Sequence, residues 1–595
     1  MPAAAAKANT FCVSTPGCSN TSLPQALDDA KNHAGPDTVQ IAAGSFQTSV
    51  GFSYDTPVPG NTVAIVGAGG RFSGHSGTSL SWTGANPSNK TVLTVKSPGQ
   101  STISGLDVIV PDGGNGGVDT NGAISDSAVE AASGTTSSPN GVVLETGGAL
   151  TNSDVRLPTD LPVSLGVFAV GSGTLVDRST IQAARGFQTT TSGGLSGVVR
   201  RSEIVSSVLG VQVDDGDFLV EDSVLRNTTE NAGHDGAIVH GGSADNSLTL
   251  NHVTMIGSPA SGTALRAFAT SHTANLTFRN GVFAGYPATI FRLASGAGAA
   301  ANVTTDYSDY SGPTGGDSGA GAITETNHLT VDPGFLSSTD FHLRADSPLI
   351  DAGDPAALGA AETTTDASGQ SRIADGNGDC TPRRDIGAFE FQPGPRAPHA
   401  AAAAAPATAV IGQPVTFDAG DSCDPDGDAL TYAWTFDQGP PATGVSHMRA
   451  FSTAGLHFAT VTVTDSTGRS STATATVRVT TAVLPAFAGV AIPSRQTVKV
   501  SRQRVAGVKL SCPGGTVGAC AGTLTLTRSS GHKLGAASFS IARGVSRKVS
   551  VKLSASAFNS LRKSKRQNST AVSVAHDANG TSKRTTRAIK LVAPR

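Results

Sequence analysis

LVEDSVL, Leu219 to Leu225, sets the frame from which the rest of the chain is read: an apolar pair, a polar pair, a small residue, one free position and an apolar residue. LVDRSTI (Leu175 to Ile181) and VVRRSEI (Val198 to Ile204) repeat it, and looser copies centre on Ser104, Ser127, Ser153, Val253, Gly281 and Ser308. Successive copies lie 21 to 30 residues apart. Leucine-rich repeats need a fixed Leu/Asn ladder, and helical repeats need longer units with Ala/Leu/Glu/Lys-rich faces. Here each unit is a short β-type alternation followed by Gly, Ser, Thr or Asn. That predicts one turn of a right-handed parallel β-helix, whose coils must stack because none buries its inward face alone. The expected inward residues are Leu106, Val129, Val155, Ile181, Ile204, Leu225, Met255, Phe283 and Tyr310. Nine such coils, with strands ~4.8 Å apart, make a rod of roughly 40 Å.

Length and composition agree with an all-β chain. The 595 residues imply several domains, and 71 Gly with 5% aromatic and 15% charged residues describe a turn-rich β protein. No apolar run approaches the ~18–20 residues of a membrane span. The start, MPAAAAKANTF, has no charged region leading into an apolar core; PAAAAKA reads as the tail of a trimmed signal peptide. Cys12 and Cys18, and Cys512 and Cys520, are close pairs in small loops, whereas Cys380 and Cys423 flank a linker and their pairing is open. With no C-x-x-C and no His at zinc-ligand spacing, disulfides and hence export are the reading. Charge is uneven. Residues 481–595 hold 20 of the 42 Lys+Arg and one of the 45 Asp+Glu, which leaves that segment near +19 and the rest near −22.

Before the first coil, Ser22 is expected to cap a short helix with the apolar stripe Leu23, Ala26, Leu27 and Ala30, closing the rod's open end. QALDDAKNHAGPDTVQIAAGSF (Gln25 to Phe46) resembles the opening of pectin-lyase-like β-helix proteins. DPGFLSSTDFHLRADSPLIDAGDP (Asp332 to Pro355) and RRDIGAFEFQ (Arg383 to Gln392) resemble the closing segment of the choice-of-anchor Q group. Those are bacterial surface or secreted proteins without one shared activity, so this resemblance implies a scaffold and an address rather than a reaction. SCDPDGDALTYAWTF (Ser422 to Phe436) and AGLHFATVTVTD (Ala454 to Asp465) resemble a PKD domain, an Ig-like sandwich, although WTFDQG stands where W-D-F-G-D-G is usual. Residues after 481 alternate again and resemble the basic β-sandwich tails of secreted proteins. The expected domains are 1–393, a β-helix with its capping helix; 394–410, a Pro/Ala linker; 411–480, PKD; and 481–595, a basic β-sandwich.

Pectin-lyase-like rods often carry glycosidases or lyases, which the resemblance makes one expectation here. Stacking makes residues one period apart into spatial neighbours, and glycosidases use paired carboxylates. Asp214, Asp215 and Asp217, then His234, Asp235 and His240, then Arg266 form the best cluster, at offsets of 25 and 26 residues from Asp215 to His240 to Arg266. Asp214, Asp215, His240 and Arg266 are the candidate catalytic set, loosely similar to polygalacturonase-type hydrolases. They depart from that pattern at TTTSGG (Thr189 to Gly194), AGHDGAIVHGG and LRAF. The other reading is that they are solvated turn residues. Asp375, Asn377 and Asp379, and separately Asp424, Asp426 and Asp428, either bind calcium through oxygens at alternate positions or form plain Asx turns. The basic tail either solubilises, docks on the acidic rod, or meets an anionic polymer; no stacking aromatics accompany its charges, so nucleic acid is not expected. The function these signs suggest is a secreted or surface scaffold that binds polysaccharide along the rod and envelope polymer through its tail. The alternative is a polysaccharide hydrolase or lyase.

Overall fold

The computed structural model describes residues 7–14, 20, 22–69, 77–83, 91–112, 116–137, 139–191, 193–228, 234–258, 262–360, 362–481 and 486–595. Residues 1–6 of the expected leader remnant and Cys18 lie outside them. Between Thr10 and Leu329 the described residues form a single sheet of 30 strands in which the pairings are parallel, wound into coils that stack in three columns. This is the expected parallel β-helix, and it is longer than nine coils. Its first column begins at Thr10–Val13 and ends at Ile323–Leu329. All nine residues expected to face inward are buried. Eight stand in one register, Val129 beside Val155, then Ile181, Ile204, Leu225, Met255 and Phe283, with Tyr310 completing the row. Leu106 is out of step, because the partner of Val129 is Val108.

A corner between the first and second columns explains the repeat. One residue per coil turns the chain with a left-handed backbone: Gly105 (φ 67°), then Asp126, Asn152, Arg178, Arg201, Asp222, His252 and Asn280, with φ between 44° and 52°. The next residue is the small one of the repeat. In five successive coils it is a buried serine. The hydroxyls of Ser127, Ser153, Ser179, Ser202 and Ser223 donate to the carbonyl two residues back at 2.7–3.0 Å. The last four each accept the N–H of the serine one coil earlier at 3.1–3.2 Å, so the four links Ser127–Ser153–Ser179–Ser202–Ser223 form a ladder. Buried backbone groups that the corner would leave unpaired are thereby satisfied.

The helix Leu23–Asn32 forms where expected, with Ser22 accepting from the Gln25 N–H and Leu23, Ala26, Leu27 and Ala30 buried against the rod. Beyond residue 330 the chain turns back as an irregular strap along the rod's flank, resting on Val224, Thr254, Val282 and the corner residues Asp222 and Asn280.

Residues 394–410, expected as a linker, are instead part of the next domain. Ala403–Ala405 and Thr408–Val410 are strands, paired with Pro414–Asp418 and Ser470–Thr480. Small alanines there fill the gaps of a sandwich whose core is Phe417, Trp434, Phe451, Val461 and Val477. The last domain is a second sandwich, one sheet of five strands and one of two. It also contains a helix that the alternation did not announce, Ala555–Ser564, capped by Ser554 and burying Ala557, Phe558 and Leu561. Cys512 is bonded to Cys520 as expected, and Cys380 to Cys423, which ties the strap to the sandwich that follows. Cys12 is also disulfide-bonded. No helix among the described residues is long and apolar enough to cross a membrane.

Candidate functional site

The proposed catalytic set lies on the third column, and its register differs from the offsets. Gln188, Gln212, Ile238, Arg266 and Phe291 are successive partners in one row. His240, Phe268 and Leu293 form the adjacent row. His240 therefore stands beside Phe268 rather than Arg266, because this coil step is 28 residues (Val239 to Ala267) rather than 26. A two-residue error preserves strand parity, so Arg266 still faces out, one row away.

Asp214 joins the His240 row. Its Oδ1 lies 2.5 Å from His240 Nδ1, and Gln212 and Gln188 donate to its carboxylate at 2.7–2.9 Å. Burial alone would raise the Asp214 carboxyl, but these hydrogen bonds outweigh it and hold the group below the usual carboxylate range. Asp215, one residue on, has the opposite parity. It is fully buried, and its carboxylate accepts the backbone N–H groups of Gly193 and Gly194, the latter at 3.2 Å. Asp217 begins the next strand of the first column and accepts from Ser247 at 2.5 Å. Arg266 pairs with Asp235 at 3.1 Å, and its guanidinium lies 4.8 Å from the centre of the Phe291 ring. Burial pushes the Asp235 carboxyl up more than Arg266 and Thr263 lower it. His234 is buried beside this strand. The four residues thus divide: Asp214 and His240 meet, Asp215 closes a turn, and Arg266 belongs to a different pair. What the column presents outward is a strip of amide, imidazole, guanidinium and aromatic groups (Gln212, His240, Arg266, Phe268, Phe291) at rung spacing.

The two Asp-rich loops behave differently. Asp375 is buried and accepts three backbone N–H groups, from Gly378, Asp379 and Cys380, at 2.6–3.1 Å, while Asn377 accepts from Asp379 and Asp379 from Thr381. These are Asx-type turns. Asp424, Asp426 and Asp428 each bring one oxygen within 4.8 Å of the others, the arrangement a calcium ion would use. Part of that capacity is already engaged, by the N–H groups of Asp426 and Asp428, by Arg396 N–H and by Ser466.

A charged cluster that sequence reasoning missed lies beneath the strap. Asp222, at the left-handed corner, is fully buried and paired with Arg372, which also donates to the carbonyls of Gly387 and Ala388. Thr363 donates to the same carboxylate. Beside it, burial and the Asp222 charge push Glu221 up to about 7, and burial and Arg372 push His252 down to about 4. Burial also raises Asp385 and Glu390. The available sign was the concentration of Arg and Asp in SRIADGNGDCTPRRDIG, far in sequence from the corner it meets.

Residues 395–481 match the PKD domain family. No curated protein matches the chain. Among solved structures, the PKD1 domain of Vibrio anguillarum Epp is 28% identical over 15% of this chain and all of its own, with a TM-score of 0.14. Carbohydrate-binding modules of the β-sandwich superfamily are 19% identical over 27% of this chain and 86% of theirs (TM-score 0.15). A Ca2+-stabilised adhesin with which an Antarctic bacterium binds ice is 18% identical over 34% of this chain and 50% of its own (TM-score 0.15).

Proposed function

We propose that the protein is an exported, modular binding scaffold: a pectin-lyase-like rod of the choice-of-anchor Q type that engages polysaccharide, a PKD module, and a basic sandwich that holds an anionic envelope polymer. The capping helix, the parallel coils and the strap formed by the two closing motifs support the rod's assignment, and the disulfides support export.

One observation carries the reading. Among the described residues, none of the 20 Lys and Arg after residue 481 is paired with an acidic side chain, whereas the rod's cations are mostly paired. The lone acid there, Asp577, is buried and accepts the N–H groups of Asn579 and Thr581. Lys509 and Lys548 even face each other directly across two strands, both exposed. Like charges so placed destabilise the free protein, and an anion relieves them. On the rod, the outward strip around Gln212, His240, Arg266 and Phe268 supplies hydrogen-bond donors and acceptors beside aromatic rings, which suits sugar hydroxyls and C–H faces.

The test is co-sedimentation of the full chain with an insoluble anionic polymer. Binding is expected to fall at least about tenfold between about 50 and about 500 mM NaCl, and to disappear on deletion of residues 486–595. Salt-insensitive binding, or binding that survives the deletion, would contradict the anchoring role. For the alternative, a hydrolase or lyase, the geometry leaves Asp214 without a facing carboxylate partner in Asp215. The expected result is no release of reducing ends or unsaturated sugars; release abolished by Asp214→Asn would make the protein an enzyme.

A further inference from the structure

A cleft of about 550 Å³ opens where the strap leaves the rod, on the flank away from the third-column strip. We propose that it is a second saccharide site, one that takes a neutral oligosaccharide; this rests on the polysaccharide-binding reading above and gives it a separate location. Its floor is the second column at Thr180 and Glu203, which are register partners on adjacent coils. Its far wall is the strap, with Asp340, His342 and Phe389.

The aromatic side is held in place. His342 stacks on Phe389 at 4.1 Å, and both of its ring nitrogens are engaged, Nδ1 by Asp340 at 2.6 Å and Nε2 by Ser368 at 2.9 Å. Phe341 and Val224 back the cleft with buried apolar surface. The polar side faces it. Arg178, at the left-handed corner, has a side chain 60% exposed and only a 3.6 Å contact to Asp177, which is already occupied by Arg201. Glu203 is 40% exposed with one oxygen on Arg226. Planar guanidinium and carboxylate groups opposite an aromatic platform match a sugar ring, which offers vicinal hydroxyls on its rim and C–H bonds on its face.

Charge selects the class of sugar. The cations on the lining, Arg178 and Arg201, are balanced by Glu203 and Asp340. A phosphate or a uronate would need a cation excess, which this cleft lacks and the C-terminal domain has. A wholly apolar ligand would desolvate four charges without compensation. The volume lies in the range of small-molecule sites, about 300–1,000 Å³.

The experiment is calorimetric titration of the full chain with a panel of neutral hexasaccharides (glucan, mannan, xylan, galactan) and of uronate hexasaccharides. Three variants are compared with the native chain: Thr180→Trp, which fills the floor; Arg178→Ala, an exposed change that keeps the fold; and Phe268→Ala on the third-column strip. The expected result is that neutral-hexasaccharide binding includes one class of sites that Thr180→Trp removes, that Arg178→Ala weakens this class at least about tenfold, equivalent to about 1.4 kcal/mol, and that any loss in Phe268→Ala falls on a separate class that Thr180→Trp leaves in place. Neutral binding that survives both Thr180→Trp and Arg178→Ala but is lost in Phe268→Ala overturns the cleft and leaves the scaffold reading intact. Uronate binding lost in Thr180→Trp overturns the neutral class. No binding by any member of the panel overturns both.

Discussion

At the scale of single residues, the rod depends on a conformation that most side chains avoid. A left-handed backbone costs an L-residue roughly 1–2 kcal/mol, yet Arg178, Arg201 and His252 adopt it. Behind Arg178 and Arg201 the serine that follows offsets that cost by pairing a buried backbone N–H of the preceding coil. Ser179→Ala orphans the Ser153 N–H, while the Asp177 carbonyl keeps the Asn152 N–H. It should destabilise the local coils by about 1–3 kcal/mol, seen as faster amide hydrogen exchange at residues 153–202, while Ser45→Ala on the exposed surface leaves exchange unchanged. The serines were legible as the fixed point of the repeat, but not as a ladder, since nothing in the sequence says which of two small polar residues turns inward. The same ambiguity misplaced one coil. Ser104 pairs with Ser125, not with Ser127, because the corner residue there is Gly105. Leu106 consequently holds the ladder position, its N–H donating to Ser127 at 3.3 Å.

At the scale of elements, the strap is held to the rod by buried charge rather than by strands. Removing one partner of a buried pair leaves the other uncompensated, at about 3–5 kcal/mol. Arg372→Met should therefore release the strap to protease at residues 330–392, and Arg372→Met combined with Asp222→Asn should restore much of its protection. Glu221 sets a pH dependence. Its folded pKa, about 7, lies above its ordinary value of 4.5, so the native state holds a proton that the unfolded state has lost. Stability contributed by that proton is full below about pH 4.5 and declines as pH rises to about 7, by at most about 3 kcal/mol. This contribution to strap protection should thus fall from about pH 5 to about pH 8, against the opposite contribution of His252 between about pH 4 and about pH 6.5, and Glu221→Gln, which mimics the protonated form, should make the fall shallower. The elements with a period, strands and capping helix, were readable from alternation. The strap has no period, and its contacts span some 150 residues from Asp222 to Arg372. The catalytic offsets failed for a related reason: coil lengths drift, and a residue moves to the opposite face on a one-residue shift, as Asp215 does.

At the scale of the whole molecule, charge is segregated along the chain, and the question is what the basic end meets. Opposite net charges of this size, near −22 and near +19, attract within one chain as well as between chains. Self-docking would use up the cations that an external polymer needs. Among the described residues no ion pair joins the segment after 486 to anything before it, and the lysines opposed across Lys509 and Lys548 stay uncompensated. The stiffening that does exist lies further up the chain. Cys380–Cys423 closes 43 residues between strap and PKD sandwich, a constraint worth about 4 kcal/mol on the chain-entropy account, and Arg396 donates to the carbonyls of Asp375 and Gly376 across the same junction. A molecule built this way keeps rod and PKD module together and leaves its cationic end for a partner. The radius of gyration by small-angle X-ray scattering should accordingly stay constant from about 50 to about 500 mM NaCl, a range over which the Debye length shrinks from about 14 Å to about 4 Å, while polymer binding collapses over the same range. Expansion with salt would instead reveal the basic domain leaving its own rod. Cys380→Ser with Cys423→Ser should raise the radius of gyration at every salt concentration, separating the covalent restraint from the electrostatic one.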